Sequence, residues 1–385
     1  MNYLKNTNDV SVDINIKRID TKKQIVTYCR IKPITSECIF EINSDENVLK
    51  IKSDNVKNQD FKFNKIFDQS FTQNKIFLMT ALELIESLFL FNKNGLLFTY
   101  GITNSGKTYT LVGGKESSQN GIIYHTMSYL IGFKLFLGSE FDYVKNEDKS
   151  NDCNYNESYN NIKNAFHNCN ISKENDSIKS VELKIFLRTF EIYNEDIYDL
   201  QSNSASARKY KKINLKENRR HLSFDEIALY KCKNVEETFL FFEKIVKTRS
   251  TSDTMLNDQS SRSHFVVQIL TELTVNKNES IANFENTLTF IDLAGSERNK
   301  KCNNSDIKFK EANYINKSLT CLGRCFEALK LGTFPPFRES KLTRLLGEYI
   351  NEENNVMMIL NINPCIEDFE ESINALRFSA MAKSI

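Results

Sequence analysis

The sequence lacks the features that would place its 385 residues in several specialised classes of protein. No stretch approaches the roughly 18 apolar residues that a membrane-spanning helix needs, and the polar N-terminal segment has no apolar signal core. Lysine and arginine number 51 against 50 aspartates and glutamates, so no overall charge attracts the chain to nucleic acid or to an anionic membrane. A charged partner must therefore be met by a local patch.

The sequence also lacks the patterns that predict a zinc site, a disulfide framework or a repeat protein. Nine cysteines are scattered without a C-x-x-C pair, and the four histidines do not stand at zinc-finger spacing from them. An odd number of scattered cysteines is typical of reduced thiols in a cytosolic protein. The chain contains no internal repeat and no heptad run, so it predicts no coiled coil and gives no support for dimerisation.

What is present favours an α/β fold. Hydrophobic residues make up 40% and charged residues 26% of the chain, an ordinary globular balance. Short β-prone segments alternate with helical patterns, which indicates a mostly parallel sheet between helices. The predicted strands are 24–30, 95–100, 181–193, 265–273, 287–292 and 356–362, and the predicted helices are 72–91, 235–249, 306–331 and 369–381.

Two segments depart from this pattern. Residues 1–22 are expected to form a disordered polar leader before a single domain over 23–385. Within residues 138–180 the apolar periodicity disappears, and ten of the thirty residues 146–175 are asparagine. Such a segment buries too little apolar surface to offset its ordering entropy. We therefore expect an inserted surface loop.

The sequence GITNSGKT (101–108) follows the strand over 95–100 and matches the pattern G-x-x-x-x-G-K-[ST]. Its glycines let the backbone wrap so that N–H groups converge on phosphate oxygens, and the next helix presents its positive end to the same anion. Lys107 can then reach the β- and γ-phosphates, and the Thr108 hydroxyl can ligate Mg²⁺. A glycine-rich turn also matches this pattern by chance, but the preceding strand favours nucleotide binding.

Two later motifs offer the other parts of a nucleotide switch. NDQSSRSH provides small hydroxyl side chains that can approach Mg²⁺ and phosphate closely. DLAGSER begins with Asp292 at a predicted strand end, suited to hold the water shell of a metal, and its Gly295 offers an N–H to a γ-phosphate. Arg262 and Glu297 carry opposite charges and can pair over the nucleotide. Each motif alone is also typical of a solvated turn; all three in this order indicate a switch.

Together with further segments, these motifs resemble the kinesin motor domain over residues 25–385. The segments that carry the resemblance are CRIKP (29–33), FEIYNEDIYDL (190–200), INKSLTCLGRCFEAL (315–329), PPFRESKLTRLL (335–346), NINP (361–364) and ESINALRFSAMAKSI (371–385). Asn104 in the phosphate loop, KNGLLFTYG, LGRC, NPC and the long insertion further resemble the kinesin-6 class. The implied fold is that of a P-loop NTPase, α/β, with a central mostly parallel mixed β-sheet and helices on both faces.

The resemblance implies ATP as substrate and Mg²⁺ as cofactor. The implied nucleotide-binding residues are Arg30, Pro33, Gly101, Ile102, Thr103, Asn104, Ser105, Gly106, Lys107, Thr108, Tyr109, Asn257, Ser260, Ser261 and Asp292. Of these, Arg30 and Pro33 border the adenine, on which Tyr109 stacks. Metal binding is implied for Thr108, Ser261 and Asp292. The implied catalytic residues are Glu297, Arg262, Lys107, Ser261 and Gly295, with Glu297 accepting the proton of the attacking water through a second water.

The resemblance also implies a microtubule partner, bound through Lys300, Lys301, Lys308, Lys310, Arg338, Lys341 and Arg344. Tubulin presents an acidic face, and the last three cations, three residues apart, are predicted to share one side of a helix. On composition alone such a cluster also fits an ordinary solvated face. No nucleic-acid or membrane partner is expected. The implied location is the cytoplasm and its microtubule cytoskeleton, including the mitotic spindle.

The implied function is an ATP-driven microtubule motor, plus-end directed, with a role in mitosis or cytokinesis. Two departures from the family pattern stand out: Lys32 replaces an arginine, which removes a planar stacking group, and Tyr124 and His125 stand where the family has proline. Two alternatives stay open, namely a non-motile microtubule-binding protein with a degenerate ATPase site and an unrelated P-loop NTPase. The neck linker and coiled coil of kinesins are expected to be absent from this chain.

Overall fold

The computed structural model describes residues 25–34, 38–51, 59–114, 116–139, 178–202, 210–213, 216–218, 221–255, 262–277, 280–297, 306–350 and 353–385. Its strands are β1 (Val26–Ile31), β2 (Phe40–Asn43), β3 (Val48–Ile51), β4 (Asp60–Lys62), β5 (Lys65–Phe67), β6 (Gly95–Tyr100), β7 (Ile178–Tyr193), β8 (Asp196–Asp199), β9 (Lys211–Ile213), β10 (Lys216–Asn218), β11 (His221–Ser223), β12 (Tyr230–Lys231), β13 (His264–Lys277), β14 (Ile281–Asp292) and β15 (Asn355–Ile362). Its α-helices are α1 (Gln73–Leu78), α2 (Ala81–Phe91), α3 (Lys107–Leu111), α4 (Ile122–Ser139), α5 (Val235–Met255), α6 (Asp306–Lys330), α7 (Lys341–Gly347) and α8 (Phe369–Lys383).

A large mixed sheet runs through the described part of the chain in the order β5-β1-β15-β6-β14-β13-β7-β8-β9, with β12 paired to β7. The strands from β5 to β14 pair in parallel, and those from β14 onward pair antiparallel. Strand β6 therefore lies between two parallel neighbours, with Leu97 opposite Phe290 on one side and Met357 on the other. The carboxyl ends of these strands meet at one edge, where ligands bind in open α/β sheets.

Helices cover both faces of this sheet. All residues of β6 are buried, and they alternate between two apolar clusters. Leu97 belongs to the cluster formed with α1, α2, α4 and α5, whereas Leu96 and Phe98 belong to the cluster formed with α6, α7 and α8. A strand that is apolar on both sides is typical of the parallel centre of such a fold. The predicted layering is confirmed.

The helix predicted over 72–91 is two helices. The chain leaves helical geometry at Thr80, whose φ and ψ are −134° and −86°. The Thr80 hydroxyl is fully buried and donates to the Ile76 carbonyl at 2.6 Å. A threonine side chain that bonds the preceding turn in this way competes with the helical ladder. The continuous prediction was wrong because apolar periodicity persists through the break.

The predicted leader over 1–22 lies outside the described residues, as does most of the predicted insertion over 138–180. Its expected boundaries are shifted, since α4 continues to Ser139 and β7 begins at Ile178. Strands β13 and β14 are also longer than predicted, because their pairing extends from Phe265 opposite Asp292 to Asn276 opposite Ile281. None of the described helices has the length and apolarity that crossing a membrane requires.

Candidate functional site

The phosphate-loop motif connects β6 to α3 at the carboxyl edge of the sheet. Three of its residues have left-handed backbone: Gly101 (φ 144°), Asn104 (φ 65°) and Gly106 (φ 98°). At Gly101 a side chain is excluded for two reasons: the left-handed backbone disfavours it, and a Cβ there would overlap the backbone carbonyl of Asn361 on β15. The amide of Asn361 supports the other end of the loop by donating to the Gly106 carbonyl at 3.3 Å. The loop is thus shaped by both its own sequence and the adjacent strand.

Lys107 is buried inside this loop, with 8% of its surface exposed. Its ammonium donates to the carbonyls of Gly101 at 2.9 Å and Ile102 at 2.7 Å. Burial lowers the pKa of Lys107, and the nearby carboxylates of Asp292 and Glu297 oppose that shift. The lysine therefore lies where a phosphate group held by the loop would meet its charge.

Asp292 ends β14 beside the loop and is 4% exposed. Its carboxylate accepts hydrogen bonds from the Thr108 hydroxyl at 2.5 Å and from the Thr99 hydroxyl of β6 at 3.2 Å. The structure thus brings together Thr108 and Asp292, two of the three residues predicted to bind the metal. The third, Ser261, lies outside the described residues, as do Ser260 and Asn257.

Glu297 is held by the phosphate loop. Its carboxylate accepts from the Thr103 backbone N–H at 2.8 Å and from the Thr103 hydroxyl at 2.5 Å. Gly295 permits this approach, because a Cβ there would overlap both the Thr103 hydroxyl and the Glu297 carboxylate. The predicted ion pair between Glu297 and Arg262 is accordingly not formed in this structure. Thr103 occupies the carboxylate that the sequence assigned to Arg262.

The predicted adenine side is assembled around Arg30. The guanidinium carbon lies 5.1 Å from the centroid of the Tyr109 ring, and Nη1 donates to Gln73 at 2.7 Å and to Thr110 at 3.0 Å. Burial lowers the pKa of Arg30 to about 10. Gln73 also donates to the Tyr109 carbonyl at 2.6 Å, so it fixes both predicted residues. Sequence reasoning missed Gln73, because a single glutamine at a helix start carries no motif.

Two further residues belong to the same CRIKP segment, of which Pro33 was predicted to border the adenine and Lys32 was noted as a departure from the family pattern. Lys32, which replaces an arginine of the family pattern, donates to the backbone oxygen of Asn104 at 3.0 Å and to its side-chain oxygen at 3.1 Å. Pro33 is exposed next to it. The lysine therefore contacts the tip of the phosphate loop.

A buried ion pair anchors α5 to β7 and to the residue directly before β13. Arg249 on α5 donates to the Glu191 carboxylate of β7 at 3.0 Å, and both side chains are almost fully buried. Ser263, directly before β13, donates to the same carboxylate. Sequence reasoning missed this anchor, since Glu191 is distant in the chain from both partners.

His264 was also missed, although it ends the motif NDQSSRSH. Its imidazole is 3% exposed and lies between the loop after β14 and helix α6. The Ala294 backbone N–H donates to Nδ1 at 3.1 Å, and Nε2 lies 2.9 Å from the Ser318 hydroxyl. Burial, together with the charges of Lys107 and Arg249, lowers the pKa of His264 to about 3.

The predicted cationic cluster is not one helical face. Helix α7 begins at Lys341 because Ser340 caps it, accepting from the Thr343 N–H at 3.0 Å. Arg338 instead lies on the preceding 3₁₀ turn. Arg338 and Arg344 still adjoin, since Arg344 donates to the Arg338 carbonyl at 3.2 Å.

The remaining predicted cations are less completely placed. Lys308 and Lys310 lie within α6, and Lys300 and Lys301 fall outside the described residues. Helix α6 packs against α7 and its preceding turn: the Cys321 thiol lies 3.5 Å from the Thr343 hydroxyl, and Arg324 pairs with Glu339.

A turn of the sheet also contacts α7. Asn194 and Glu195, between β7 and β8, both have left-handed backbone, with φ of 52° and 62°. The Glu195 carboxylate accepts from the Lys341 N–H at 2.7 Å. This places a negative charge at the first turn of α7, where the helix dipole favours it.

Comparison with known proteins agrees with this architecture. The family model "Kinesin motor domain" matches residues 15–385. The chain is 29% identical to kinesin-like protein KIF20B of Homo sapiens, covering 98% of this chain and 24% of that protein. It is 29% identical to kinesin-like protein KIF23 of Mus musculus, covering 94% and 43%. These relatives are kinesin-6 class proteins, the class that the sequence resembles.

The fold agrees as well. The solved structure of a fast kinesin superposes with a TM-score of 0.73 at 24% identity, covering 94% of this chain and 92% of that one. The chain spans less than half the length of the two curated relatives. Since the family model covers nearly the whole sequence, the chain belongs to the kinesin motor domain family.

Proposed function

We propose that this chain is an ATP-hydrolysing microtubule motor domain. The observation that carries the proposal is the convergence of Lys107, Thr108, Asp292 and Glu297 at one edge of the sheet. These residues come from motifs nearly two hundred positions apart. Their convergence supports a single triphosphate pocket, and family membership supports its use for ATP.

In this proposal ATP is the substrate, and the phosphate loop binds its phosphates. Backbone N–H groups of this loop converge on the phosphate oxygens, and Lys107 adds a buried positive charge. Arg30 and Tyr109, fixed by Gln73, border the adenine. These groups bind and orient the nucleotide, which is most of what an enzyme contributes to phosphoryl transfer.

The site also fits Mg²⁺. The Thr108 hydroxyl and the Asp292 carboxylate are hard oxygen donors held within 2.5 Å of each other, the donor class that Mg²⁺ prefers. Ser261 is the proposed third member. When bound, Mg²⁺ supplies positive charge to the phosphate oxygens. Thr99 orients Asp292 by donating to its other oxygen.

Hydrolysis is assigned to Glu297, with Arg262, Gly295 and Ser261 around the γ-phosphate. Glu297 accepts the proton of the attacking water through a second water, and Gly295 offers its N–H to the γ-phosphate. Because Thr103 holds Glu297 in this structure, the carboxylate must leave Thr103 before it pairs with Arg262. Closure of the site is therefore an exchange of partners for one carboxylate.

Coupling to the microtubule follows from the connection between the 293–297 loop and α6. Loss of the γ-phosphate reorders this loop, as in other nucleotide switches. Helix α6 then shifts against α7, with which it shares the Cys321–Thr343 contact. The proposed microtubule-binding cations are Lys300, Lys301, Lys308, Lys310, Arg338, Lys341 and Arg344. Plus-end direction, a role in mitosis or cytokinesis, and a location on cytoplasmic and spindle microtubules are proposed from the resemblance to kinesin-6.

Microtubule-stimulated ATPase measurement tests this function. We expect turnover that rises with microtubule concentration, and loss of the stimulated rate in both Glu297→Ala and Lys107→Ala. A non-motile microtubule-binding protein would co-sediment with microtubules without turnover, and an unrelated NTPase would turn over ATP at a rate that microtubules leave unchanged. Unaltered turnover in both variants would refute the assigned mechanism.

A further inference from the structure

His264 is the first residue of β13, and its ring contacts two elements that the proposed mechanism requires to move together. One is the loop after β14, through the Ala294 N–H at 3.1 Å; the other is helix α6, through the Ser318 hydroxyl at 2.9 Å. Both His264 and Ser318 are buried, at 3% and 2% exposure. Neither contact is therefore exchanged freely with water.

The hydrogen bonds determine which nitrogen carries the proton. A backbone N–H can only donate, so Nδ1 accepts and carries no hydrogen. The neutral ring therefore has its hydrogen on Nε2, which donates to the Ser318 oxygen. An imidazolium would turn an N–H toward the Ala294 N–H, and the low pKa of His264 agrees with a neutral ring. The imidazole thus accepts a hydrogen bond from the loop at Nδ1 and donates one to α6 from Nε2.

The position of Ala294 connects its hydrogen bond with His264 to the residues proposed to sense the nucleotide. Ala294 directly precedes Gly295, and Glu297 follows three residues after it. The backbone of His264 is held by the sheet, because Phe265, the next residue of β13, pairs with Asp292. A change in the loop therefore alters one bond of a ring whose other bond is to α6.

On the basis of the function proposed above, we propose that His264 is a positioning residue that couples the nucleotide-sensing loop to α6 through Ser318. The competing reading is a core histidine whose two bonds only stabilise the fold. Under that reading, breaking the Ser318 bond would lower stability and leave the response to microtubules unchanged. The two readings differ in the coupling between sites, which is measurable.

The two ring contacts can be removed separately. His264→Asn places an amide oxygen near the Nδ1 position and keeps the Ala294 contact, but it is too short to reach Ser318. Ser318→Ala removes the same contact from the helix side. Ser372→Ala is the matched control: it removes a buried serine hydroxyl of α8 whose bond, to the Asn363 carbonyl at 3.2 Å, involves neither His264 nor residues 293–297.

The measurement is the ratio of microtubule-stimulated to basal kcat of the 385-residue chain, with thermal unfolding followed in parallel. We expect Ser318→Ala to lower this ratio roughly threefold to tenfold, the range of one neutral hydrogen bond. His264→Asn should match it, and the double variant should be no worse than either alone, because both substitutions remove the same His264–Ser318 bond. Ser372→Ala should lower the melting temperature similarly and keep the ratio.

Two results would overturn the proposal. The first is a ratio in Ser318→Ala within twofold of the unsubstituted chain. The second is an equal fall in Ser372→Ala, which would assign the effect to stability. An unsubstituted chain that microtubules fail to stimulate is a different outcome, since it refutes the proposed motor function itself.

Discussion

The hydrogen bonds from Thr103 to Glu297 lead to a quantitative prediction about the basal ATPase rate. Substitution Thr103→Val removes the hydroxyl that contacts Glu297 at 2.5 Å, while the β-branched shape and the backbone N–H bond at 2.8 Å remain. A hydrogen bond to a charged group contributes about 1.5–3 kcal/mol, and both partners are only partly buried, so we take the lower end. About 1.4 kcal/mol corresponds to a tenfold change in an equilibrium.

We therefore expect Thr103→Val to release Glu297 about tenfold more often and to raise the basal ATPase rate by up to about tenfold. The KM for ATP should change little, because the backbone N–H groups that bind phosphate are retained. Steady-state ATPase without microtubules measures the rate. Thr103→Ser, which keeps the hydroxyl, is the matched control and should behave as the unsubstituted chain.

The partner exchange can be tested from its other side. Removing Arg262 in the Thr103→Val background should abolish the gain, because the released Glu297 then lacks its closing partner. If Thr103→Val leaves the basal rate unchanged or lowers it while Thr103→Ser is normal, the idea that Thr103 restrains Glu297 is wrong.

Two further predictions concern α7 and the buried histidine. Glu195→Gln removes the charge at the start of α7, where a charge is worth about 0.3–1 kcal/mol; we expect microtubule Kd, measured by co-sedimentation, to rise about twofold to fivefold with unchanged basal ATPase, and an unchanged Kd would contradict it. His264 has a pKa lowered from 6.5 to about 3, so the unfolded chain binds the extra proton first as pH falls. Its contribution to the free energy of unfolding is full above about pH 6.5 and decreases by up to about 1.4 kcal/mol per pH unit toward pH 3; in chemical denaturation from pH 7 to pH 4, His264→Asn should show a shallower decline, and parallel declines would exclude it.

Local signals in the sequence were sufficient for much of the fold and for one half of the site. The phosphate loop was predicted because its glycines, lysine and threonine are contiguous and follow an apolar strand. The position of Asp292 was also predicted, since a carboxylate at the end of a buried strand must lie at the edge of the sheet. Its approach to Thr108 at 2.5 Å then follows from parallel pairing of β6 and β14.

The hydrogen-bond and ion-pair partners of the site residues were harder to predict than the positions of those residues in the fold. For Glu297, charge alone pointed to Arg262 as partner, whereas in the folded chain its carboxylate accepts from the backbone N–H and the hydroxyl of Thr103; its role as a switch residue stays a prediction. Gln73 and Glu191 act through single contacts with residues distant in sequence, so no local pattern marks them. Predicted helix boundaries were wrong where a single side chain decides them: the buried Thr80 lies at the break between α1 and α2, and the Ser340 cap excludes Arg338 from α7.

Strand β15 combines two duties whose combination has a mechanical consequence. It forms the floor beneath Gly101 and leads into α8, and it has six-residue parallel ladders with both β1 and β6. A pull on α8 directed along this strand would load both ladders in shear, so that their hydrogen bonds resist together instead of opening one after another. Tension on α8 in this direction would thus be shared between two ladders of the parallel centre of the sheet.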